Sequence, residues 1–258
     1  MSTSGVTRGK STPIIMVDLK LHEFDKDEPD VDEPFRSLVG HLMWLANQTR
    51  PDIHNTVRAV SRYSAVPKLF HWQAARRIAM YIKSTSTYGI TFRRGLSSGV
   101  QMEFCVDADY AHEANDRKSV SGGVVMCAGA CVSFYSTNRT RKCVTLFTTE
   151  EEYLAMATGI RETTFMRYVR SFIFPDRYVG YTTVKEDNKG VIYLANNPVT
   201  TPNSKHIDVR YHFFRERVAN GEFQIVHVLS EEQHADFLTK PLDMEAFRFH
   251  RNFVMNLW

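Results

Sequence analysis

The hydrophobic period of this chain changes across residues 95–99 (GLSSG), a flexible joint that separates a helical stretch from a strand-and-helix stretch. Before it, Ile53, Val57 and Val60 recur at helical spacing behind Pro51, a residue suited to a first helical turn, and Pro67 ends the run. A second helix carries Trp72, Ala75, Ile78 and Ile82, with Arg76, Arg77 and Lys83 on its polar side. After the joint, Met102, Phe104 and Val106 alternate with Glu103, Cys105 and Asp107, the pattern of a half-buried strand. Residues 122–129 and 131–137 read as two more strands. Residues 149–174 read as a long helix that opens with Thr149 and Glu152 in capping-box spacing. A short strand over 181–186 follows, then a helix through Ile207, Tyr211, Phe214 and Val218, a strand over 223–228, and a closing helix from Ala235. The expected division is a polar, disordered leader (1–33), a basic helical piece (34–94) and a mixed domain (100–258).

Charge is unevenly spread. Seven acids face one Lys between Glu23 and Glu33, whereas from Pro34 to Arg94 ten Lys/Arg face a single acid, Asp52. The second stretch is a candidate nucleic-acid surface, with a solvated basic face as the bland alternative. The four cysteines form no CxxC pair and no zinc-ligand spacing, and three sit in strand-like apolar runs, as buried thiols do. No apolar run approaches the roughly 20 residues that span a membrane, and Met1 to Lys10 lacks a signal peptide's apolar core. The expectation is a soluble intracellular protein, cytoplasmic or nuclear.

Four acids fall at element ends: Asp107 at the end of the first strand, Glu152 in the first turns of the long helix, Asp187 at the end of the fourth strand and Asp236 at the start of the last helix. Mg²⁺ prefers hard oxygen ligands, and a carboxylate cluster can hold two such ions for phosphodiester hydrolysis. Carboxylates crowded without metal repel and raise one another's pKa. On spacing alone, these acids could equally cap helices or face water.

Several motifs narrow the choice. They are Asp107-Ala108-Asp109-Tyr110-Ala111, Arg117-Lys118-Ser119-Val120-Ser121-Gly122, Thr148-Thr149-Glu150-Glu151-Glu152-Tyr153 and Glu186-Asp187-Asn188. Lys205-His206-Ile207-Asp208-Val209-Arg210-Tyr211-His212-Phe213 and Ala235-Asp236-Phe237-Leu238-Thr239-Lys240-Pro241-Leu242 follow. In this order they resemble the ribonuclease H domain of copia-type retrotransposons. Phe35-Arg36-Ser37-Leu38-Val39-Gly40 and Thr49-Arg50-Pro51-Asp52-Ile53 are similar to segments that follow the palm of the same polyprotein's reverse transcriptase, the thumb or connection. The palm's paired aspartates are absent from this chain, so no polymerase activity is expected.

The resemblance implies an α/β, ribonuclease H-like fold: a mixed five-stranded sheet flanked by helices and preceded by a small helical subdomain. It implies a metal-dependent endonuclease that hydrolyses the RNA strand of RNA–DNA hybrids. Asp107, Glu152, Asp187 and Asp236 would be both catalytic residues and ligands of two Mg²⁺ ions, with Mn²⁺ as a substitute. The expected partners are the hybrid and other parts of the Pol polyprotein, with no membrane. Lys205, His206, Arg50, Arg58, Arg62, Arg76 and Arg77 are the expected phosphate contacts. Trp44, Tyr63 and Trp72 sit at core-like helical positions and read as packing. Two other readings are an inactive nucleic-acid-binding remnant and a strand-transfer enzyme; the helix Glu and closing Asp argue against the latter.

Overall fold

A computed structural model of the chain describes Thr12 and residues 29–94, 100–109, 119–138, 148–177, 180–196 and 208–257. Its described elements run α1 (Phe35–Gln48), α2 (Pro51–Ser61), α3 (Leu69–Ser84), β1 (Met102–Asp109), β2 (Val120–Cys127), β3 (Ala130–Asn138) and α4 (Thr148–Ile173). They continue with β4 (Thr182–Glu186), α5 (Lys189–Asn196), α6 (Asp208–Ala219), β5 (Phe223–His227) and α7 (Met244–Met255). The strand order is β3-β2-β1-β4-β5. β1 and β2, like β2 and β3, are antiparallel, whereas β1–β4 and β4–β5 are parallel. This mixed five-stranded sheet with helices on both faces is the expected ribonuclease H-like fold.

Period-two alternation assigns each strand residue to a face. Met102, Phe104, Val106 and Ala108 of β1 join Tyr153, Ala155, Met156 and Ile160 of α4, together with Val191 of α5 and Phe214 of α6, in one apolar cluster. Val124 and Met126 of β2 face the other way. They join Phe35, Val39, Ile53, Val57, Ile78 and Tyr81 of α1–α3 and Phe247 and Val254 of α7 in a second cluster. The helices before the joint therefore form part of a layer on one sheet face. Removing them would strip an apolar face that burial stabilises by roughly 25 cal/mol per Å².

Glycine sets how closely the layers approach. A Cβ on Gly159 of α4 would collide with the Phe104 ring, and one on Gly122 of β2 would lie 2.8 Å from Leu238 Cβ and Thr239 Cγ2. The first opening admits α4 to the sheet, the second a segment that carries Asp236.

The chain around Asp236 departs from the expected closing helix. Residues Asp236–Leu238 form a single 3₁₀ turn, and α7 begins only at Met244, capped by the Asp243 carboxylate on the amides of Glu245 (2.8 Å) and Ala246 (2.9 Å). Pro241 accounts for the break, since it lacks an amide and would clash within a helix. Trp44 also departs from expectation: it is 64% exposed on α1, while Tyr63 is buried and stacked on His71. Trp72 packs against the core as expected. Cys105, Cys127 and Cys131 are free thiols. Among the described residues, no helix is long and apolar enough to cross a membrane.

Candidate active site

β1 is antiparallel to β2 on one side and parallel to β4 on the other. The carboxyl ends of β1 and β4 thus lie side by side where the connectivity changes direction, the place where open α/β sheets leave a ligand crevice. Asp107 stands near the end of β1 and Asp187 directly after β4. Glu152 enters from the first turns of α4 on one face, and Asp236 from its 3₁₀ turn on the other.

Their hydrogen bonds and charges tie the four together. Thr239 Oγ1 donates to Asp107 Oδ2, and Asn188 Nδ2 donates to Glu152 Oε2. Ser230 Oγ donates to Asp187 Oδ2 at 2.7 Å. Lys240 Nζ pairs with Asp236 Oδ2 at 2.8 Å. Burial, reinforced by Asp107 and Asp187, pushes the Glu152 carboxyl up to about 7 despite the Asn188 bond. Burial, reinforced by Asp107, pushes Asp236 up to about 7 despite Lys240. Asp107 is raised by burial and by Asp187, against the relief that Lys240 and Thr239 provide. All four expected acids share one electrostatic site.

Sequence reasoning missed three members. Glu186, 1% exposed at the end of β4, accepts the Asn188 amide at 3.1 Å. Its carboxyl is held well above the ordinary range by burial, with Glu152, Asp187 and Asp107 adding to the effect. Thr239 and Lys240 lie on the turn that carries Asp236. Lys240 is four residues from Asp236, a spacing that suits an ion pair and was visible in the motif.

The structure also separates Asp107 from Asp109, which alternation could not. Asp107 is held by Thr239, whereas Asp109 is drawn electrostatically toward Arg58. His234, two residues before Asp236, is buried; it stacks on Phe253 at 3.7 Å and faces His250 with 3.1 Å between their Nδ1 atoms. His227 is exposed at the end of β5.

Two expected phosphate contacts are core residues instead. Arg50, 3% exposed, grips Asp52 with Nε and Nη2, both at 2.8 Å, and donates to the Thr85 carbonyl and hydroxyl. Arg58, 9% exposed, donates to Ser136, Asn138 and Asn55. Buried guanidinium groups need such partners, and having them, neither presents a free face to a phosphate. Arg76 is exposed, and Arg62 and Arg77 are half-buried. Lys205 and His206 lie outside the described residues.

The carboxylate set suits a hard divalent cation. Asp236 Oδ1 is buried and has no hydrogen-bond partner, an acceptor left for a cation or water. Among the described residues, no three such groups stand together tightly enough to hold an ion as they are.

No family model matches the chain. The retrovirus-related Pol polyprotein from transposon RE1 of Arabidopsis thaliana is 35% identical over 216 residues, 83% of this chain and 14% of that protein. The corresponding polyprotein from transposon TNT 1-94 of Nicotiana tabacum is 34% identical over 223 residues, 86% of this chain and 16% of that protein. The chain belongs to the copia-type retrotransposon Pol polyproteins. It spans about one-seventh of the length of these Pol relatives. The secreted RxLR effector protein 161 of Plasmopara viticola is 36% identical over 129 residues, 50% of this chain and 88% of that protein. Among solved structures, the N-terminal ribonuclease H domain of Rv2228c from Mycobacterium tuberculosis has a TM-score of 0.39 at 14% identity, covering 59% of this chain and 96% of that one.

Proposed function

We propose that this chain is the ribonuclease H portion of a copia-type Pol polyprotein and hydrolyses the RNA strand of an RNA–DNA hybrid. One observation carries the reading. Carboxylates from four separate elements meet at the adjoining ends of β1 and β4, and one of them, Asp236, keeps a buried oxygen without a partner.

Asp107, Glu152, Asp187 and Asp236 would hold Mg²⁺ ions there, with Mn²⁺ able to replace them. Bound metal would supply the charge that activates an attacking water and stabilises the leaving oxygen. The chain's own groups do the rest. Thr239 and Ser230 orient Asp107 and Asp187 by donating to one oxygen of each. Asn188 does the same for Glu152. Arg62, Arg76 and Arg77, with Lys205 and His206, would track the phosphates, and contacts to the 2′-hydroxyl would select the RNA strand. The residues 34–94 would be the reverse transcriptase's helical end, residues 100–258 the nuclease domain and 1–33 the leader.

A second reading rests on Lys240. Its ammonium already supplies positive charge to the acids, which is what a metal-free, nucleic-acid-binding remnant would need. Incubating the pure protein with labelled hybrid in Mg²⁺ and in EDTA separates the two. Cleavage only in Mg²⁺ supports the nuclease; hybrid binding without cleavage in either buffer supports the remnant.

A further inference from the structure

Asp107, Gly122 and Ser136 stand opposite one another across β1, β2 and β3, in one row of the sheet register. All three face the layer that holds the N-terminal helices, and the 236–239 segment lies along the row. Thr239 Oγ1 donates to Asp107 at one end. Leu238 and Thr239 sit over Gly122, where a Cβ would meet both at 2.8 Å. At the other end, Ser136 Oγ donates to the Leu238 carbonyl at 2.5 Å.

Ser136 is in turn held from α2. Arg58 Nε donates to Ser136 Oγ at 3.1 Å, Nη1 donates to Asn138 Oδ1, and Nη2 donates to Asn55 Oδ1 at 2.8 Å. The direction of this relay follows from the donor inventory. A guanidinium has donors and no acceptor, so the Ser136 oxygen must offer Arg58 a lone pair. Its one hydrogen is then left for the Leu238 carbonyl. Leu238 lies between Asp236 and Thr239, so fixing its carbonyl fixes the turn that presents one acid and steadies another. Phe237 and Leu238 are also packed into the cluster formed by α1–α3 and α7.

We propose that Arg58 is a positioning residue for the acid cluster, acting through Ser136 and the Leu238 carbonyl, so that the helical layer forms part of the nuclease site. The inference rests on the nuclease reading for what the cluster binds. Partners beyond the ligating shell affect metal affinity by holding ligands in place, typically by about 10- to 100-fold when removed.

The test uses the full chain with Arg58→Met, Ser136→Ala and the double variant. Mn²⁺ affinity is read by the EPR signal of the free ion, and backbone protection by hydrogen exchange. We expect each single variant to weaken Mn²⁺ binding by about tenfold, with the double variant little worse than either, as for residues in one chain of contacts. Exchange should quicken at residues 236–240 while β4 amides stay protected, a local signature that general destabilisation would not give. Should Arg58→Met fail to fold, the smaller Ser136→Ala change carries the test alone. A folded Ser136→Ala protein with wild-type Mn²⁺ affinity and wild-type protection at 236–240 overturns the proposal. Wild type that binds no Mn²⁺ at all counts against the nuclease reading. In that case local exchange at 236–240 alone supports or overturns the relay.

Discussion

Lys240 Nζ lies 2.8 Å from Asp236 Oδ2, which places a cation among carboxylates that would otherwise repel. Burial alone would lower the Lys240 pKa, but Asp107 and Asp236 outweigh it and hold the amine charged. Lys240→Met should therefore cost the protein about 1–2 kcal/mol in EDTA, between the values for exposed and buried pairs, because the Lys side chain is 36% exposed. With the competing ammonium gone, Mg²⁺ should restore more stability to this variant than to wild type. Thermal melts in EDTA and in Mg²⁺ decide; an equal metal-induced rise in both proteins would show that Lys240 does not compete.

Asp187 accepts the Ser230 hydroxyl at the exposed rim of the cluster. Asp187→Asn should retain the shape and lose more than about 100-fold in hybrid cleavage, because an amide is a far weaker Mg²⁺ ligand. Hybrid affinity should be largely unchanged, since the proposed phosphate contacts lie elsewhere. Persistent cleavage by the variant would place the chemistry on other residues.

Gly159 faces the buried Phe104 ring, so two effects compete in Gly159→Ala. Helix propensity favours Ala by about 1 kcal/mol, whereas overpacking costs about 1–3 kcal/mol. The steric term should win, because Phe104 is fully buried and has no free direction in which to retreat. Urea unfolding should show net destabilisation, partly relieved by adding Phe104→Leu. A more stable Gly159→Ala protein would mean that α4 stands farther from the sheet.

Arg50 and Arg76 should fail in different ways. Arg50→Ala leaves Asp52 buried without its ion-pair partner and should cost about 3–5 kcal/mol of stability. Arg76→Ala should leave stability within about 0.5 kcal/mol, as exposed substitutions usually do. It should weaken hybrid binding and reduce the magnitude of the salt slope by about one. Binding isotherms across a salt series would exclude Arg76 from phosphate contact if affinity and slope both match wild type.

Two buried histidines, His54 and His250, should each lose stability as pH falls, opposing the raised acids of the cluster, whose contribution is lost as pH rises. Burial, with Arg58, pulls His54 down to about 4, and burial, with Lys240, pulls His250 down to about 4. Both pKa values lie below the unfolded value of 6.5, so the unfolded chain binds more protons between these limits. Their stability contribution is complete above pH 6.5 and is lost as pH falls toward 4. His54→Gln, which can still donate to Asn47, should lose less stability than wild type over that interval. Parallel stability-against-pH curves for the two proteins would remove His54 from the account.

The order of the strands and the positions of Asp107, Glu152 and Asp187 were legible because each lies in or beside a patterned segment, whereas Asp236 was read as opening a helix that begins only at Met244. Alternation identified β1 and the 3.6-residue period identified α4, without any long-range information. The tie between Asp107 and Asp109 was not legible, because both project from the same face of β1. Contact with Thr239, 132 residues away, is what distinguishes Asp107. Arg50 and Arg58 were misread for a related reason. A charge in a sequence has no depth, although Asp52, the lone acid among ten basic residues, was a clue to where Arg50 points. Lys240 and Glu186 were visible as neighbours of assigned acids, but only the fold shows their charges sharing one site.

By itself, then, the sequence determined the strands, the long helix and the acidic kind of the candidate cluster, since these depend on local periodicity and residue chemistry. Tertiary structure decided that α1–α3 pack over β2 with α7, and that the 236–239 turn spans the row from Asp107 to Ser136. Those relationships join residues far apart in the chain. They exist only once layers close over openings such as Gly122 and Gly159, where burial and sterics act between segments.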